Sequence, residues 1–81
     1  METEKQIKII TRADLDENNF YKHSDSLECE EGIEIEAGLS TVKFKQKLIS
    51  KKYIWAKAGS GIKAGEGIKA GEGIKAGWGI E

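Results

Sequence analysis

The chain has 81 residues, 38% of them hydrophobic and 33% charged, with ten glycines, no proline, one cysteine and a formal net charge of -1. No apolar run approaches the roughly 18 residues of a membrane span, the N-terminal METEKQIKIIT lacks the apolar core and cleavage site of a secretion signal, and the lone thiol of Cys29 excludes an internal disulfide or a cysteine-based metal cluster. The expectation is one small cytoplasmic domain held by something other than the staples short chains depend on.

In chain order, Gln6 to Thr11 (QIKIIT) is β-branched and reads as a strand. Thr11 or Asp14 is placed to cap a short helical turn through Asp16 and Glu17, which Asn18 and Asn19 break. Phe20 and Tyr21 fit a cap over one open end of the remaining chain, so residues 1–26 are expected to form an N-terminal strand and cap. From Leu27 the chain alternates: Leu27, Cys29, Ile33, Ile35, Ala37 and Leu39 fall on one side, and Glu28, Glu30, Glu34 and Glu36 on the other. Val42, Phe44, Gln46 and Leu48 alternate in the same way with Lys43, Lys45 and Lys47. A further strand is expected from Lys52 to Lys57, around Tyr53, Ile54 and Trp55.

From Lys57 to Glu81 the sequence repeats with a period of six, KAGSGI KAGEGI KAGEGI KAGWGI E. Ile62, Ile68, Ile74 and Ile80 hold one phase and Ala58, Ala64, Ala70 and Ala76 another. A six-residue period fits no single helical face, and each of two glycines per repeat would cost a helix about 1 kcal/mol. In extended chain the unit is instead a short strand followed by a glycine corner. Stacked units of this kind make an all-β fold, a short β-solenoid (β-helix). Three six-residue sides would close a coil of about 18 residues, so residues 27–81 make about three coils, with the regular hexapeptides starting at 57.

Charge is polarised along the chain. Residues 1–36 hold eleven acids and four bases, and residues 37–81 hold three acids and nine lysines. Two readings stay open: a Glu–Lys ladder between neighbouring coils, or an acidic stripe of Glu28, Glu30, Glu31, Glu34 and Glu36 that enters a basic groove of a partner. Tyr53, Trp55 and Trp78 are candidate interface anchors. Trp78 takes the slot that holds Ser60, Glu66 and Glu72 in the other repeats, which reads as an exposed corner, and on a regular coil it would stack above Ser60.

Catalytic chemistry finds little footing. His23, Ser24, Asp25 and Ser26 are the residue types of a hydrolase triad, but adjacency in a polar loop supplies no triad geometry. Cys29 lies among glutamates, the wrong setting for a reactive thiol, and reads as a small core residue. Gly59-Ser60-Gly61 lacks the Lys-Ser/Thr ending of a phosphate loop. No catalytic, cofactor or metal site is expected, and a single arginine in a slightly acidic chain argues against direct nucleic-acid binding.

The run Ile-Lys-Ala-Gly-Glu-Gly resembles the glycine-rich hexapeptide repeats of small proteins from bacteria, phages and mobile elements. The likeness covers Lys57 to Glu81 well and Leu27 to Glu81 loosely. It departs from the hexapeptide acyltransferases, which do not place glycine at two of every six positions. The resemblance implies a solenoid that works by binding, in the manner of anti-CRISPR and related anti-defence inhibitors, on a larger protein or nucleoprotein complex in the cytoplasm of a bacterial host. Glu28, Glu30, Glu31, Glu34, Glu36, Tyr53, Trp55 and Trp78 are the expected partner-binding residues. The alternative is a structural subunit whose solenoid ends stack into homodimers or larger assemblies.

Overall fold

A computed structural model describes residues 7–79; Gln6, Ile80 and Glu81 of the expected strand and repeats lie outside them. Among the described residues nine short strands succeed one another: β1 (Lys8–Ile10), β2 (Leu27–Cys29), β3 (Ile33–Ile35), β4 (Ser40–Phe44), β5 (Lys47–Ser50), β6 (Tyr53–Ala56), β7 (Ser60–Ala64), β8 (Gly67–Ala70) and β9 (Gly73–Ala76). All pairing between them is parallel, in three sheets ordered β1-β3-β6-β9, β2-β5-β8 and β4-β7. A parallel bridge from Phe20 to Lys43 adds a further rung beneath β4. The chain thus visits face 1 (the four-stranded sheet), face 2 (β4-β7) and face 3 (β2-β5-β8) in cyclic order, which is a three-sided β-solenoid. No helix among the described residues is long and apolar enough to cross a membrane.

The interior is built from stacked columns. Ile33, Ile54 and Ile74 align on face 1, Val42 and Ile62 on face 2, and Leu27, Leu48 and Ile68 on face 3. The second inward position of each strand narrows along the axis, from Ile35 to Ala56 to Ala76 on face 1 and from Phe44 to Ala64 on face 2. Burial is complete in the middle coils and incomplete at the far end, where Ala64, Ile68, Ala70, Ile74 and Ala76 are only partly covered.

Several sequence expectations change. The coil is not 18 residues long: Ile33 pairs with Ile54, 21 residues on, and Ile54 with Ile74, 20 residues on. The difference lies in one corner, where the turns at Ala37-Gly38 and Ala58-Gly59 stack through a 2.9 Å hydrogen bond from the Gly38 N–H to the Ala58 carbonyl. Here the chain carries extra residues that the other two corners lack. The alternating run from Leu27 to Leu39 breaks into β2 and β3 on different faces, and Ala37 is exposed in the turn. The run from Val42 to Leu48 breaks in the same way, leaving Gln46 exposed at a corner.

The N-terminal strand, expected as part of a separate cap, is the first rung of face 1, with Ile10 opposite Ile35. The segment after it, from Thr11 to Tyr21, does form a cap. A 3-10 turn spans Arg12–Asp14, and the Asp14 carboxylate accepts the Thr11 N–H at 3.0 Å. Leu15 and Tyr21 then turn inward and are buried. Asn19, at φ 68°, donates from Nδ2 to the carbonyls of Leu39 and Thr41 at 2.7 and 3.0 Å. That side chain satisfies edge groups of the coil above it, as an end cap must.

Candidate protein-binding surface

Outward-facing residues also align in columns, because successive rungs are parallel and in register. On face 1 the column reads Ile9, Glu34, Trp55 and Lys75. Ile9 is 52% exposed and Trp55 38%. The Tyr53 ring leans down across Gly32, where any Cβ would overlap it, and its hydroxyl donates to Glu34 Oε2 at 2.7 Å. Lys57 Nζ lies 3.4 Å from Glu34 Oε1 and 5.2 Å from the centre of the Trp55 ring. Four side chains from two rungs therefore brace one another. The bond to Glu34, aided by burial, holds the Tyr53 phenol above its ordinary value of 10.0. Above the Tyr53 ring, register places Gly73, and an open recess of about 420 Å³ lies between Tyr53, Trp55, Gly73, Ile74 and Lys75.

The glutamates do not form a stripe on one face. Glu28 points out from face 3 and Glu34 from face 1, with Glu30 and Glu31 at the corner between them and Glu36 after β3. They girdle a single coil because the chain turns a corner between β2 and β3. Three of the five stand beneath lysines of the next coil: Glu30 with Lys51 at 3.4 Å, Glu31 with Lys52 at 3.3 Å, and Glu34 with Lys57. The ladder is present, and Glu28 and Glu36 are exposed outside it.

Trp78 is 63% exposed, and its N–H donates to the Ser60 carbonyl at 3.0 Å, so the two residues do lie one above the other. The slot itself is not uniform, since Ser60 is fully buried while Glu66 and Glu72 are exposed. The Trp78 side chain passes over Gly61 and lines an opening of about 440 Å³ with Asn18, Asn19, Ser40, Thr41 and Lys43. It belongs to face 2, around the molecule from Tyr53 and Trp55.

Sequence reasoning missed the exposure of Ile7 (44%) and Ile9, because Gln6-Ile7-Lys8-Ile9 alternates in the opposite sense to the fold, where Ile10 on the other phase is the buried residue. It also missed the outward column of face 2, in which Phe20, Lys43 and Lys63 stack. An 18-residue coil would place Lys63 above Lys45; the observed register places it above Lys43.

The polar loop resolves into structural bonds. His23 Nε2 lies 2.9 Å from Asp14 Oδ1 and its ring meets Tyr21 edge-on at 5.2 Å. Ser24 donates to the Ser26 carbonyl, and the Ser26 hydroxyl accepts the Lys47 N–H at 3.1 Å. Cys29 packs at the edge of the core. Among the described residues, no three of His, Cys, Asp or Glu converge as a metal site requires. Comparisons with known protein families, characterised proteins and solved structures find no match to this chain.

Proposed function

We propose that this chain is a non-enzymatic β-solenoid that binds a larger protein through the outward side of face 1. The observation that carries this reading is the alignment of Ile9 and Trp55, both exposed, in one column beside the Tyr53 recess. Exposed aromatic and aliphatic groups on a rigid sheet, braced by neighbouring polar contacts, suit a contact surface because little side-chain entropy is lost on docking. Glu36, just after β3, supplies rim charge, while Glu30, Glu31 and Glu34 act chiefly by pairing with lysines of the next coil and Glu28 lies on face 3, away from this surface. The resemblance of the hexapeptides extends the reading to an inhibitor of a bacterial defence complex, acting in the host cytoplasm.

The test uses the tagged chain to capture a partner from bacterial lysate. Ile9→Ser and Trp55→Ala are each expected to weaken capture about tenfold, with the β-rich circular dichroism spectrum unchanged. Equal capture by both variants would remove face 1 as the surface. Expression in a host armed with a CRISPR system is expected to restore phage plaques; unchanged plaque counts sink the inhibitor reading.

A second reading, assembly through solenoid ends, is favoured by β8 and β9, whose outer edges pair with no other strand among the described residues. Light scattering after size exclusion separates the two, because a monomer at all concentrations eliminates assembly.

A further inference from the structure

Three departures from the regular pattern meet at one opening on face 2. Trp78 is the first, an exposed indole in the slot that holds serine or glutamate in the other hexapeptides. Asn19 and Ser40 are the others: among the described residues they alone, apart from glycines, take a positive φ, 68° and 63°. All three line the opening of about 440 Å³, which Asn18 and Thr41 complete together with one acid, Glu17, and one base, Lys43. Left-handed backbone at a residue other than glycine is costly, and it persists where the side chain has a use. Asn19 shows its use in the fold, with Nδ2 bonded to the carbonyls on either side of Ser40 and Oδ1 accepting from Arg12 at 2.9 Å. Ser40 does not. Glycine would serve the turn, as it does at Gly38 and Gly59, yet the position holds an exposed serine whose hydroxyl makes no hydrogen bond among the described residues. Register then sets the ring above this hydroxyl. Ser60 stands over Ser40 and Gly61 over Thr41, and Trp78 lies over both, with its N–H on the Ser60 carbonyl. A Cβ at Gly61 would come within 3.1 Å of the Trp78 Cβ and 3.0 Å of the Gly79 carbonyl oxygen. With no side chain there, a hollow of about 130 Å³ remains between Thr41, Ile62, Trp78 and Gly79.

We propose that this opening binds a saccharide, with one pyranose ring stacked on the Trp78 indole and its hydroxyls bonded to Ser40, Thr41 and Asn18. The site is separate from face 1 and does not depend on the protein-binding reading above. A pyranose with equatorial hydroxyls has an apolar C–H face and a polar rim, which matches a flat ring bordered by hydrogen-bonding groups. The border offers both donors and acceptors, in its hydroxyls, amides, carboxylate and ammonium, and a sugar hydroxyl uses either kind. An apolar protein side chain placed on Trp78 would find no aliphatic neighbour among the residues lining this opening. A nucleotide base would also stack, but Glu17 beside the one cation of the lining works against its phosphate. The size, at the lower end of ligand clefts, suits one or two sugar rings.

Saturation-transfer NMR of the full chain with cellobiose, and with N,N′-diacetylchitobiose as a second probe, tests this. Saturable transfer in the millimolar range is expected, strongest at the axial protons of one ring face. Mannitol, which has hydroxyls but no ring face, is expected to give none. Trp78→Ala should weaken binding at least about tenfold. Ser40→Gly removes the hydroxyl and relieves the positive φ, so it is expected to fold at least as stably as the wild type while binding about threefold more weakly. Trp55→Phe should bind the sugar as the wild type does, which keeps failure at this opening distinct from failure of face 1. No transfer from either disaccharide, undiminished binding in Trp78→Ala or Ser40→Gly, or displacement of the sugar by equimolar AMP would overturn the proposal.

Discussion

Ser60 occupies the repeat slot that holds glutamate in the next two hexapeptides, yet it is fully buried. Its hydroxyl accepts the Leu39 N–H at 3.0 Å and donates to the Glu36 carbonyl, so one small side chain satisfies both ends of the stacked turn beneath it. A buried backbone group left without a partner costs about 1–3 kcal/mol. Ser60→Ala is therefore expected to lower stability in urea denaturation by that amount, whereas Glu66→Ala, at an exposed corner, is expected to change it by less than about 0.5 kcal/mol. Tyr53 yields a prediction in pH. Because its folded pKa is raised by the bond to Glu34, the stability it contributes is present below its ordinary value of 10.0 and is lost as pH rises through the raised one. Ultraviolet absorbance titration should find a phenol ionising above the ordinary range, and Glu34→Gln should move it back toward that range.

At the scale of the element, the two glycines of the second and third hexapeptides, Gly65 with Gly67 and Gly71 with Gly73, have separate tasks. The one before the variable residue lets the backbone touch the coil below: at Gly71 a Cβ would overlap the Lys51 carbonyl oxygen. The one after it takes a positive φ, 148° at Gly73, and starts the next strand. Gly71→Ala must push two coils apart and is expected to cost about 1–3 kcal/mol, while Glu72→Ala between these glycines should be near neutral. Thermal melts of the two variants check this, and equal melting temperatures would contradict the close approach. Much of this was legible. The sixfold period announced strands and corners, and the β-branched residues announced which side faced inward. The longer corner at Ala58-Gly59 was not, because KAGSGI is spelled like its successors while its first glycine ends a turn at φ 81° that stacks on Gly38. The same letters serve a different corner.

For the whole molecule, coverage declines along the axis. Ile33 and Ile54 are sealed between neighbouring coils, whereas Ile68 and Ile74 have a neighbour on one side only among the described residues. A solenoid's stability is a sum over adjacent coils, so the last coil has the weakest claim to protection. Native-state hydrogen exchange is expected to show slowest exchange in β3 and β6, and exchange at least about tenfold faster in β8 and β9. Uniform protection would contradict that gradient and favour coverage of the far end by another chain. The ion pairs contribute less to this picture, since Lys51 and Glu30 are more than half exposed and such pairs are worth about 0–1 kcal/mol each.

The sequence by itself determined local features: strand, corner, the inward isoleucine phase and the polarity of charge along the chain, all consequences of residue chemistry within a few positions. Tertiary structure decided the register between coils, and through it every outward neighbour. A longer corner at one edge of the coil sets Lys63 above Lys43, and the turn between β2 and β3 leaves the five glutamates around a coil instead of along a face. Which side chains share a surface depends on the summed length of three corners, and no single repeat contains that sum.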